Sequence, residues 1–260
     1  MNWFRVTAFN LLFYPFTIWV AFVAWVLTYV STEVALRNWL HWWSWRVFGL
    51  LRFVLNSKVI VEGKENLPAG AYVLAPKHMS ELDVCFVLGH HRNVNAVAMA
   101  ELAELPFLGA ILKKMRLICV PVDSGPQGMT QVLREGAKIS ADRGQPIVIF
   151  PEGELMAIGA RERYKSGVFH AYEAAGLPVV PVAQSLGVIW PRRHWRKFPN
   201  HIAGARYLPP IQPGLDKETF LTILEERIET ESMAMIRSHA KGAELLAAED
   251  RYARKAANED

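Results

Sequence analysis

Cysteine is nearly absent from this chain. Cys85 and Cys119 are its only two among 260 residues. Both sit in apolar stretches, which reads as buried, reduced thiols and excludes a disulfide framework. Zinc-finger spacing, an arginine-rich arm and an aromatic RNA-binding motif are all lacking, so no nucleic acid is expected as a partner. No G-x-S-x-G elbow occurs, which removes the usual setting of a serine nucleophile. His90 and His91 fall where a helix is expected to end and histidines suit its dipole. They have no ligand-spaced companion, and no metal is expected. Charge is scarce too, at 21% against 52% hydrophobic residues. From Val6 to Thr32 there is none at all.

What fills that uncharged stretch is apolar and aromatic. Seven of the nine tryptophans fall in the first 45 residues. "AFNLLFYPFTIWVAFVAWVLTYV" (Ala8 to Val30) is long enough to cross a hydrocarbon core as a helix. It is too long for a signal-peptide core and has no evident cleavage site. Pro15 would kink it, which leaves a re-entrant geometry open beside a spanning one. A second segment, Leu36 to Leu55, is apolar but broken by Arg37, His41, Arg46 and Arg52 beside Trp39, Trp42, Trp43 and Trp45. That mixture suits the headgroup zone, with indoles at the interface and guanidinium groups reaching phosphates. The net charge of +4 and pI near 9.1 favour an anionic membrane surface.

After Asn56 the pattern changes. Seven short apolar runs read as strands: "KVIVEG", "AYVLAP", "VNAVAMA", "RLICVPV", "PIVIF", "PVVPVAQ" and "HIAGARYL". Helices are expected between and after them, over 82–88, 106–114, 127–142, 166–175 and 217–236. Gly144 and Gly176 stand where helix-terminating glycines belong. Such alternation argues for an α/β fold with a largely parallel sheet flanked by helices, preceded by a membrane-associated helix pair.

The stretch "KHMSELDV" (Lys77 to Val84) opens the helix after the second strand. On one helix, His78 and Asp83 would point about 140° apart. They can meet if His78 sits on the loop and Asp83 in the helix's first turn, with Ser80 as its N-cap. Asp83 can then fix the imidazole tautomer and stabilise the cation formed when the other nitrogen takes a proton. A surface histidine and a first-turn acid facing the helix dipole account for this stretch equally well.

A second signal is "PIVIFPEGE", a buried strand running into Pro151, Glu152 and Gly153. An H-x-x-x-x-D at one strand end and F-P-E-G at another, with "LPVVPVA" (Leu177 to Ala183) beyond, resembles the glycerolipid acyltransferase family of 1-acylglycerol-3-phosphate acyltransferase type. "ELAELPFLG" and "WPRR" resemble its bacterial members. The resemblance covers roughly residues 57–215. It implies that His78 deprotonates the free hydroxyl of a lysolipid acceptor, that Asp83 orients His78, and that the hydroxyl attacks the thioester of acyl-CoA or acyl carrier protein. No cofactor beyond that co-substrate is implied. The implied organisation is a membrane-docking helix pair over 1–56, an acyltransferase domain over 57–215, and a helical segment with a charged tail over 216–260. The catalytic domain is expected on the cytoplasmic face of the inner membrane.

The chain departs from the family pattern where the acceptor's phosphate is implied to bind. The second motif ends in Asp123 and Ser124, the third in Glu154 and Leu155, so two arginines are missing. Neither serine nor leucine can grip phosphate as a guanidinium does. Glu152, Gly153 and Ser80 are carried as substrate-binding residues. Lys113, Arg161, Arg163 and Lys165 are the candidate replacements for the lost cations, and the basic loop Arg192 to Lys197 is a further patch. Glu154 suits a cationic or zwitterionic head group, which keeps an aminolipid such as a lyso-ornithine lipid open as an acceptor. A non-catalytic lipid-binding protein is the reading from another class.

Overall fold

The structure is a computed structural model that describes residues 2–192 and 195–256. Arg193 of the basic loop and the last four residues of the charged tail lie outside the described residues.

Seven strands build one sheet. They are β1 (Lys58–Glu62), β2 (Val73–Pro76), β3 (Asn95–Met99), β4 (Ile118–Val120), β5 (Ile147–Val148), β6 (Val179–Gln184) and β7 (Ile202–Tyr207). Their order is β1-β7-β6-β2-β5-β3-β4. Every neighbouring pair is parallel except β6 and β7. The apolar runs mark all seven strands. They carry no sign of the one antiparallel pair, because pairing direction depends on where a connection returns. β2 and β6 are buried at every residue, as central strands covered on both faces must be.

The helices of this part are α3 (Leu82–His90), α4 (Leu108–Lys114), α5 (Gly125–Asp142), α6 (Gly167–Ala175), α7 (Lys217–His239) and α8 (Gly242–Ala256). Gly176 ends α6 in the left-handed conformation, which glycine adopts without steric cost. Asp216 caps α7 by accepting from the backbone N–H groups of Glu218 and Thr219, both at 3.0 Å. One core lies under α3 and the N-terminal helices, and includes Tyr72, Leu74, Phe86, Val148 and Val182. The other lies under α5, α6 and α7, and includes Val73, Ile149, Phe169, Tyr172 and Phe220.

α1 (Asn2–Val30) and α2 (Glu33–Phe53) form a hairpin. Thr32 caps α2 by accepting from the Ala35 N–H at 3.2 Å. Trp39 Nε1 donates to the Val20 carbonyl at 3.1 Å, and Trp43 Nε1 to Thr17 Oγ1 at 3.2 Å. α1 also rests on the α/β domain near both of its ends. Phe9 and Phe13 meet Trp190 edge-on, and Trp25 meets Phe107. Its other face is open, with Leu11, Ile18, Trp19, Phe22 and Val30 all exposed. α1 is the one described helix long and apolar enough to cross a membrane. An uncovered apolar face of that size belongs in lipid, and it associates the chain with a membrane. Arg37 is not among the groups that reach outward. It is buried, bonds Glu33 at 2.9 Å, and donates to the carbonyls of Val94 and Met115, so it pins α2 to the segments just before β3 and just after α4.

His91 closes a buried chain of side chains. Its Nδ1 lies 3.0 Å from the Tyr72 hydroxyl and its Nε2 2.9 Å from the Tyr207 hydroxyl. Burial pushes its pKa down to about 4. The unfolded chain then binds the extra proton between about pH 6.5 and pH 4, so stability is full above that window and lost as pH falls through it. The expected loss is on the order of 3 kcal/mol. Denaturant midpoints measured from pH 7 to pH 4 should fall for the native chain, and the fall should be smaller for His91→Gln.

Candidate active site

Parallel pairing of β2 with β5 aligns Val73 with Ile147 and Leu74 with Val148. The carboxyl ends of both strands therefore emerge side by side, where ligands of such sheets bind. "KHMSELDV" leaves one and "FPEG" the other.

Asp83 lies in the first turn of α3, fully buried. Its Oδ2 accepts from His78 Nδ1 at 2.9 Å and from the backbone N–H groups of Met79 and Ser80 at 2.8 and 2.9 Å. A carboxylate can only accept, so Nδ1 carries the imidazole proton and Nε2 holds a lone pair. Nε2 has no hydrogen-bond partner among the described residues. The side chain of His78 is 20% exposed, and its ring stacks on Phe150 at 4.0 Å. Burial raises the Asp83 pKa, and the bonds from His78, Ser80 and Met79 work against that rise. A base with one nitrogen braced and the other open can accept a proton from a bound hydroxyl.

Beneath the loop lies a buried ionic cluster. Lys77 Nζ donates to Glu152 Oε1 at 2.7 Å, Glu229 Oε1 at 2.6 Å and the Ala160 carbonyl at 3.2 Å. The Tyr164 hydroxyl donates to Glu229 at 2.9 Å. Glu152 uses its second oxygen to accept from the backbone N–H of His78 at 2.6 Å. Burial opposes the Lys77 charge, but the two facing carboxylates outweigh it and hold its pKa above the ordinary lysine value. Glu152 is pushed up by burial and pulled back by Lys77.

Two of the expected substrate contacts are thereby corrected. Glu152 is buried and spends both oxygens on Lys77 and the His78 backbone, so it shapes the loop rather than facing a ligand. Ser80 is buried as well; its hydroxyl donates to the Trp190 carbonyl at 2.7 Å and accepts from the Leu82 N–H at 3.0 Å. It caps the turn into α3 and has no spare donor. Neither Glu229 nor Tyr164 was singled out by sequence. Nothing local marks them, because their partners come from strand ends far away in the chain.

Comparison with known proteins adds to this geometry. The family model described as Acyltransferase matches residues 58–185. The α/β domain belongs to the acyltransferase family. The 1-acyl-sn-glycerol-3-phosphate acyltransferase of Pseudomonas aeruginosa is 30% identical over 166 residues, which is 64% of this chain and 63% of that protein. The enzyme of the same name from Saccharomyces cerevisiae is 26% identical over 169 residues, 62% and 54% of the two chains. The chain thus covers less than two thirds of either relative. The crystal structure of the 1-acyl-sn-glycerophosphate (LPA) acyltransferase PlsC from Thermotoga maritima superposes with a TM-score of 0.72 over 90% of this chain and 97% of its own, at 21% identity. That likeness bears on the fold.

The candidate phosphate-binding cations of this acyltransferase domain are scattered. Lys165 lies across Gly153, so close that a Cβ there would meet its Nζ at 2.9 Å. Gly153 also holds φ at +70°, which only glycine adopts freely. Arg161 turns away, 3.8 Å from Glu225 and with its guanidinium 5.0 Å over the Tyr252 ring. Arg163 opens onto a different depression, lined also by Lys217, Glu218 and Thr222, which includes neither His78 nor Asp83. Lys113 is exposed in the last turn of α4. Of these four, Lys165 alone accompanies the third motif. Arg192 joins it there. From the β6–β7 connection its guanidinium donates to the carbonyl of Leu155, the residue standing where the family pattern has arginine.

Removing Lys77 should be costly. Lys77→Met leaves two buried carboxylates facing each other, with an expected loss of about 3–5 kcal/mol. Adding Glu229→Gln should recover part of it. Urea unfolding of both variants in the same detergent checks the order.

Proposed function

We propose that this chain transfers an acyl group from a thioester, acyl-CoA or acyl carrier protein, to the free hydroxyl of a lysophospholipid, and that 1-acyl-sn-glycerol 3-phosphate is acylated to phosphatidic acid. The observation that carries the reading is His78 Nδ1 bonded to Asp83 at 2.9 Å, with Nε2 open at the strand ends of an acyltransferase domain. Nε2 takes the hydroxyl proton as the alcohol oxygen attacks the thioester carbon. The C–O bond forms, the C–S bond breaks, and the imidazolium returns its proton to the leaving thiolate. Asp83 stabilises the imidazolium between these steps. His78 and Asp83 are the catalytic pair, and the reaction needs no further cofactor. The names borne by the relatives supply the acceptor.

The acceptor's phosphate is assigned to Lys165 and Arg192, the two cations that flank the third motif. The helix hairpin is assigned to one leaflet, since α1 touches the α/β domain near both ends and cannot leave it to cross a bilayer. The catalytic domain then faces the cytoplasm at the inner membrane, where the thioester donors are made. A second reading has one observation behind it. Glu154 is exposed beside Gly153, and a carboxylate there favours an acceptor with a cationic or zwitterionic head group, such as a lyso-ornithine lipid.

The test is a panel of acceptors with one labelled donor. His78→Ala should abolish transfer, and Asp83→Asn should lower kcat by about 10²–10⁴-fold. Unchanged turnover in His78→Ala would overturn the mechanism. Arg192→Gln should raise KM for lysophosphatidate and leave KM for a zwitterionic acceptor unaltered. Turnover of the aminolipid with none of lysophosphatidate would transfer the assignment to the second reading.

A further inference from the structure

A depression of about 420 Å³ lies on the outer face of α2, lined by Asn38, His41, Trp42, Trp45, Arg46 and Arg92. That volume is in the range of small-ligand sites. Arg46 comes from α2, and Arg92 from the turn that follows α3. Those elements are held together there, with His41 Nδ1 lying 3.0 Å from the Leu88 carbonyl and the rings of Trp45 and His90 5.5 Å apart. The Arg46 guanidinium sits 5.2 Å over the Trp42 ring. Among the described residues no acidic side chain lines the depression. Among the described residues neither Arg46 nor Arg92 makes an ion pair, whereas Arg37, Arg134, Arg161, Arg206 and Arg237 each meet a carboxylate. Two exposed, uncompensated guanidinium groups facing one space, with an amide and an imidazole beside them, suit an anion that can be gripped from several sides.

The surroundings name the anion's carrier. Trp42 stacks on Trp39 at 4.9 Å, Trp39 meets Trp19 at 5.5 Å, and Phe16 meets Trp42 at 5.8 Å. This aromatic band runs without a break into the exposed apolar face of α1, at Ile18, Trp19 and Phe22. The cationic depression is thus on the rim of the surface that lies in lipid, at the level where indoles and guanidinium groups meet phosphates. The geometry points to a head-group site for an anionic phospholipid of the bilayer, held by Arg46 and Arg92 and separate from the His78 centre. The site rests on membrane association by α1 and needs no acyl transfer.

The experiment uses the full chain in a non-ionic detergent, with dihexanoyl phosphatidylglycerol as probe, and reads tryptophan fluorescence and thermal shift. The native chain should bind it more tightly than dihexanoyl phosphatidylcholine. Arg46→Gln with Arg92→Gln should weaken that binding roughly tenfold or more, as expected for two cations at a lipid surface, and Arg192→Gln should leave it unchanged. Both replaced side chains are exposed, so folding should not suffer. Equal binding by the double variant, an equal shift with phosphatidylcholine, or an equal shift with inorganic phosphate would each overturn the site. Loss of binding only in Arg192→Gln would assign the lipid to the region of the third motif instead. Loss of acyl transfer in His78→Ala leaves this readout untouched, so the two readings fall separately.

Discussion

A lysine that gives up water must be given something in return, and at Lys77 the whole fold supplies it. One carboxylate comes from the loop after β5, the other from the middle of α7. The ammonium therefore ties three distant segments to one point, directly before the histidine. Each partner would be costly to bury alone. Together they give the loop one arrangement, because any shift of β2 against α7 breaks a bond that no water can replace. The position of His78 follows from that, since Glu152 holds its backbone N–H with the oxygen left over.

The imidazole is then constrained on each side but one. Asp83 takes Nδ1, and Phe150 covers a face of the ring. The backbone carbonyl of His78 accepts from the Met156 N–H at 2.7 Å. Such bracing leaves the ring few rotamers, and in the proposed reaction that is where positioning contributes to rate. The two motifs divide the labour. The first carries the hydrogen-bonded pair His78 and Asp83, and the third holds the first in place.

How much of this could be read from the chain depended on the range of the interaction. Continuous apolar runs announced the strands, because a sheet covered on both faces tolerates little else. The corner that joins His78 to Asp83 was legible only in part: the two residues lie within six positions and a loop-to-helix turn lets them touch, but a surface histidine and a dipole-facing acid fitted the same stretch equally well. Charge pairing was not. Arg161 and Lys165 look alike in "RERYKSG", yet one folds onto Glu225 and Tyr252 while the other crosses Gly153. Glu152 carries a conspicuous motif and turns out to face inward. Lys197, at the end of a basic loop, is buried 4.1 Å from Trp190 rather than bathed in solvent. For Arg161 and Glu152 the deciding partners, Glu225 and Lys77, sit tens of residues away, and spacing holds no record of them.

The hairpin is the other feature with reach. Phe9 and Phe13 belong to the same hydrophobic cluster as Leu74, Val148 and Val182 of the sheet. Trp190, which they cover, presents its carbonyl to Ser80. The greasy appendage is therefore also an interior wall. A version trimmed at residue 56 to gain solubility would strip the lining from its own core, so water-soluble and correctly folded are conditions this polypeptide cannot meet by deletion alone.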